Sequence, residues 1–149
     1  MLVRGICCFC LCALLAPTPT GDTEEAKASR KAIYQVLHNQ TEAWNKGDLK
    51  GFMNGYLRSN ELTFYSGDKV IKGWDAMLER YQKKYQGEGK EMGRLAFEEL
   101  TVELLGSDHA LVRGRFRLRL TKDSPTGIFT LILRKTPAGW RIIHDHSST

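Results

Sequence analysis

A chain of 149 residues with 42% hydrophobic and 26% charged side chains carries one domain with a real core and leaves no room for a second. The formal charge of +5 is moderate and is not gathered into a basic tail, which excludes an electrostatic case for nucleic-acid binding and argues for solubility.

Met1-Leu2-Val3-Arg4 gives a short positive start, Ile6 to Ala16 is an unbroken apolar run, and Pro17-Thr18-Pro19-Thr20-Gly21 breaks it. This layout predicts a secretory signal peptide over residues 1–20, too short to span a bilayer, and a domain over 21–149. Cleavage after Ala16 would leave Pro17 at the new terminus, so the cut is expected later, near Thr20 or Gly21. Cys7, Cys8, Cys10 and Cys12 all fall inside the apolar run and read as small hydrophobes there. Acylation of a retained, membrane-associated N-terminus is the alternative. A metal site is not expected of them, and once the segment is removed the domain has no cysteine. Asn39-Gln40-Thr41 is a glycosylation acceptor that suits a secreted protein.

Asp22 to Glu25 opens a first helix with acids at its positive end. Ile33, Val36, Leu37, Gln40 and Trp44 form its buried stripe. Gln40 reads either as a boundary amide in solvent, the plainer choice, or as a hydrogen-bonder in a pocket. Gly47 and Asp48 suit a C-cap and an N-cap, and Leu49, Phe52, Met53, Tyr56 and Leu57 make a second, short stripe. Leu62 to Tyr65 reads as a strand, Val70-Ile71 as a brief one, and Trp74, Met77, Leu78, Tyr81 and Tyr85 as a third helix. Gln86 to Lys90 is a polar, glycine-rich loop.

From Leu95 the period becomes two. Strands are predicted over Leu95–Leu105, Ala110–Leu120, Gly127–Arg134 and Trp140–His146, a four-strand meander. Helices laid across the concave face of a curled antiparallel sheet make an α+β domain. On the second of these strands Val112, Gly114, Phe116, Leu118 and Leu120 share one face and Arg113, Arg115, Arg117 and Arg119 the other. With Glu99 and Glu103 nearby, the arginines read as a solvated charge ladder. A docking surface for an acidic partner or a second subunit is the alternative.

In the last strand, simple alternation puts Trp140, Ile142, His144 and His146 on one face, with the two imidazoles closing an apolar pocket. Asp145 then points the other way, and no acid falls on the inward faces. His144 and His146 are accordingly the candidate acid–base groups. A metal would need a third ligand, and His38 and His109 do not converge on the pair, so neither a metal nor a cofactor is expected. Gln40, Trp44, Tyr56, Tyr65, Trp74, Tyr81 and Phe116 are the other candidate pocket residues, although aromatic stripes at helical spacing are more often packing.

The order helix, helix, strand, helix, four-strand meander resembles the nuclear transport factor 2-like fold. Trp44-Asn45-Lys46-Gly47-Asp48-Leu49 with Phe52 and Tyr56, and Gly73-Trp74 with Tyr81 and Tyr85, resemble the SnoaL-like branch. The ending Gly139 to Ser147 is similar to the last strand of the calcium/calmodulin-dependent protein kinase II association domain and of small related proteins. The resemblance implies a cone-shaped α+β domain, often dimeric through the outer face of its sheet, with a deep pocket at the wide end. Isomerase-type members need a carboxylate or a Tyr/Asp pair against the substrate, and the outward assignment of Asp145 argues against that chemistry here. Three functions are therefore expected in competition. The favoured one is a secreted pocket or homo-oligomerisation domain binding a small, partly apolar molecule. The others are a lyase, isomerase or hydrolase with His144 or His146 as base, and an adaptor using its arginine face. Neither nucleic acid nor a stable membrane anchor is an expected partner.

Overall fold

The computed structural model describes residues 22–149; the predicted signal segment and the four cysteines lie outside the described residues. Helix α1 (Glu24–Asn45) starts where Thr23 accepts the Ala26 amide at 3.1 Å, and Glu24 and Glu25 occupy its positive end. It stops at Gly47, whose φ of +76° is the left-handed geometry of a helix end, and Asp48 caps α2 (Leu49–Met53) through the Gly51 amide at 2.8 Å. Ile33, Leu37, Gln40 and Trp44 are buried, as the helical spacing predicts. Gln40 is no boundary residue. Its Nε2 donates to the Phe52 carbonyl at 3.1 Å in the interior.

β1 (Thr63–Ser66) and β2 (Lys69–Lys72) form a hairpin ahead of α3 (Trp74–Tyr85). The meander follows as β3 (Arg94–Leu104), β4 (His109–Arg119), β5 (Thr126–Thr136) and β6 (Gly139–Ser148). One six-stranded sheet runs in the order β2-β1-β6-β5-β4-β3. All its pairings are antiparallel except β1 on β6, where Thr63 lies beside His144 and Tyr65 beside His146. That parallel pairing joins the β1–β2 hairpin to the meander in one sheet. Period-two patterning cannot reveal it, because it records faces and not neighbours.

The helices cover the concave face, and Ile33, Leu37, Met53, Met77, Val112, Leu133 and Ile142 are sealed between the layers. The segment after α2 is tied directly to β6: the Leu57 amide donates to the Ile142 carbonyl at 2.8 Å, and the Ile142 amide to the Gly55 carbonyl at 2.9 Å. Tyr56 is thereby fixed against the last strand. Trp74 Nε1 donates to the Met53 carbonyl at 3.0 Å, binding α3 to α2.

Two irregularities set the faces. In β3, Glu99 and Leu100 together oppose Gly114, with Glu99 at a φ of +54°. Gly114 fits because a Cβ there would meet Leu100 and Phe129, each at 2.7 Å. In β6, Ile142 pairs with Leu133 and His144 with the adjacent Ile132, so Ile143 is an extra residue in the strand. On the outer face Arg113, Arg115 and Arg117 pair with Glu103, Glu99 and Glu98 at 3.1, 3.5 and 3.1 Å, while Arg119 lies opposite Arg94. Among the described residues no helix is long and apolar enough to cross a membrane.

Candidate binding cavity

The bulge at Ile143 reverses the expected facing of everything after it. Trp140 and Ile142 point inward and are buried, as alternation predicts. One inserted residue then exchanges the faces, because side chains alternate with a period of two. Asp145, opposite the buried Leu131, turns into the interior, and Ser147, opposite the buried Phe129, follows it. His144 and His146 turn out onto the convex face. There the Tyr65 ring meets them edge-on, with centroids 5.1 and 6.0 Å away, and His144 Nδ1 shares a 2.6 Å hydrogen bond with the Thr63 hydroxyl. Burial, and then the neighbouring His146, holds the His144 imidazole below its ordinary pKa. The placement of both histidines on the pocket floor is corrected: they do not line the cavity.

The cavity itself, of about 320 Å³, lies between the concave sheet and α1, α2 and α3. Its sleeve is aromatic. Trp44 packs edge-to-face on Phe52, Tyr81 and Tyr85 with centroids 5.0, 5.9 and 4.9 Å apart, and Tyr81 stacks on Phe64 at 5.8 Å. Phe97, Phe116, Phe129 and Leu131 supply the sheet side. Gln40 lines the same space, and its amide is accommodated because residue 55 is glycine: a Cβ there would stand 2.5 Å from Gln40 Cδ.

Asp145 is the one acid in this lining. The Tyr56 hydroxyl donates to its Oδ2 at 2.8 Å and the Ser147 hydroxyl to its Oδ1 at 2.7 Å. Burial pushes its pKa from the ordinary 3.8 to about 6, against the pull of those two donors. Burial, and then the charge on Asp145, raises the Tyr56 and Tyr81 phenols well above their ordinary range. Such a carboxyl changes protonation near neutrality, and each of its oxygens has acceptor capacity left beyond one donor.

Of the residues expected in a pocket, Gln40, Trp44, Tyr56, Tyr81 and Phe116 come together around the cavity. Trp74, the first residue of α3, is buried against the end of α2, and Tyr65, His144 and His146 sit on the outer face. The principal omission is Asp145. Its signal was the doublet Ile142-Ile143, which breaks the alternation of Trp140-Arg141-Ile142 just ahead of it. Asn39 is exposed on α1 and accepts a 2.8 Å bond from Gln35. Among the described residues no three potential ligands gather for a metal ion.

The profile of the SnoaL-like domain family matches residues 33–149. No curated protein matches the chain. Among solved structures, the chain is similar to an NTF-2 like protein of unknown function from Shewanella oneidensis MR-1, at 40% identity over 80% of this chain and 98% of that one, with a TM-score of 0.76. An NTF2-like protein of unknown function from Pseudomonas putida KT2440 shares 23% identity over 82% and 87% of the two chains, with a TM-score of 0.66. A nuclear transport factor 2 (NTF2-like) superfamily protein from Salmonella enterica LT2 shares 19% identity over 82% and 91%, with a TM-score of 0.70. The expected cone-shaped α+β fold is the one these neighbours share.

Proposed function

The chain belongs to the SnoaL-like domain family, and from that premise we propose that its cavity binds one small, partly apolar molecule and presents it to the Tyr56–Asp145 pair. The observation that carries this reading is a single buried carboxyl, hydrogen-bonded and turned into an otherwise aromatic cavity. Ligand extracted from the purified protein and identified by mass spectrometry tests the reading. Asp145→Leu should fold and lose the ligand; retention of the same molecule at the same occupancy would remove Asp145 from the site.

A second reading is proton-transfer catalysis of the isomerase or lyase kind, with Asp145 in the place first expected of His144 or His146. A carboxyl with a pKa of about 6 favours it, since an acid–base group works best near the operating pH. A rate profile rising through that pH and abolished by Asp145→Asn would support it.

The remaining proposals rest on other features. Residues 1–20 acting as a signal peptide, with Asn39 carrying a glycan, would place the domain outside the cell; the support is the Arg4 start, the Ile6–Ala16 run and the exposure of Asn39. Intact mass of the secreted product tests both. A homodimer through the outer sheet face is supported by Tyr65, Val70 and Ile128, large apolar side chains 40%, 62% and 57% exposed on or beside it. Ile128→Glu should then convert a dimer to a monomer in light scattering. Arg113, Arg115 and Arg117 of that face already pair with Glu103, Glu99 and Glu98, so an acidic partner finds less support.

A further inference from the structure

The charges in the cavity lining are unevenly distributed. Asp145 lies at the buried end, while the exposed members of the lining, Lys84, Gly67, Ser148 and Thr149, mark the rim, with half-buried Arg80 beside them. Arg80 and Lys84 are one turn apart on α3 and so occupy the same helix face. Their neighbour Lys83 pairs with Glu79 at 2.6 Å on the solvent-exposed part of the helix. Arg80 and Lys84 form no ion pair among the described residues, and their cationic groups lie over aromatic rings of the same lining, Phe64 at 5.9 Å and Tyr85 at 5.1 Å. Two cations without an ion-pair partner, at the entrance to an aromatic cavity, favour an anionic group where a ligand's outer end would sit.

We infer that the natural ligand is an amphipathic organic acid, its apolar body in the aromatic sleeve and its anionic group at the rim between Arg80 and Lys84. Asp145 fixes the orientation. A carboxylate entering head first would meet a second carboxylate in a low-dielectric interior, whereas at the rim it gains charge-assisted hydrogen bonds from guanidinium and ammonium groups. The buried end of the ligand therefore carries a neutral group that Asp145 can hydrogen-bond, such as a hydroxyl or carbonyl. This inference rests on the pocket reading above and narrows its ligand class.

Calorimetric titration of the protein with phenylbutyrate and indolepropionate, each beside its primary amide, tests it. The acids should bind at least about tenfold more tightly than the matched amides, the scale of one good charge-assisted contact. In the Arg80→Gln/Lys84→Gln variant, whose changes lie at the rim and outside the core, that preference should vanish while amide affinity stays unchanged. Equal binding of acid and amide by the natural protein would overturn the inference and leave the pocket reading standing. So would an acid preference that survives in the double variant. Binding of neither class would remove both readings together.

Discussion

Tyr56 and Asp145 are 89 positions apart in sequence, yet the phenol donates to the carboxyl at 2.8 Å in a buried site. Two independent constraints create the contact. The backbone bonds of Gly55 and Leu57 to Ile142 hold the tyrosine against β6, and the extra residue at Ile143 turns the aspartate toward it.

Stability should fall with rising pH because of Asp145. Its folded pKa of about 6 exceeds the ordinary 3.8, so the folded protein holds this proton more tightly than the unfolded chain does. The contribution is complete below about pH 4 and is lost as pH rises through about 6, a difference on the order of 3 kcal/mol. Urea denaturation of the natural protein and of Asp145→Asn across this range should show the difference. Parallel pH curves for the two proteins would refute it.

Tyr56→Phe removes a donor that holds the Asp145 pKa down, so the carboxyl should titrate at a still higher pH. Carbon-detected NMR of the side-chain carboxyl reads this directly. The lost buried hydrogen bond should also destabilise the fold by about 1–2 kcal/mol.

Gly55→Ala should be destabilising by about 1–3 kcal/mol, because the new methyl falls on the Gln40 amide. Gln40→Ala in the same chain should recover part of that loss, since it removes the obstructing atoms. A double-mutant cycle in chemical denaturation gives the coupling, and strict additivity would show that the strain lies elsewhere.

Replacing both His144 and His146 by Ala should leave the cavity's ligand affinity unchanged within about twofold, because neither side chain lines it. The loss of the Thr63 contact should cost no more than about 1 kcal/mol. A large loss of ligand binding, measured by the same calorimetry, would return the histidines to the site.

Local chemistry in the sequence was enough to determine the elements and part of the cavity wall. Helical spacing identified Trp44, Tyr56 and Tyr81, period two identified Phe116 against its arginine neighbours, and Gly47 and Asp48 stand where a helix must end or begin. These are effects of nearest neighbours along the chain, so composition and spacing record them. Tertiary structure decided which titratable groups face the cavity. A single bulge residue in β6, held in register by β5, exchanged His144 and His146 for Asp145, because a shift of one residue reverses every later side chain. The parallel seat of β1 on β6, and the placing of the α3 face that bears Arg80 and Lys84 at the cavity rim, were likewise set by contacts between distant segments, which no local pattern encodes.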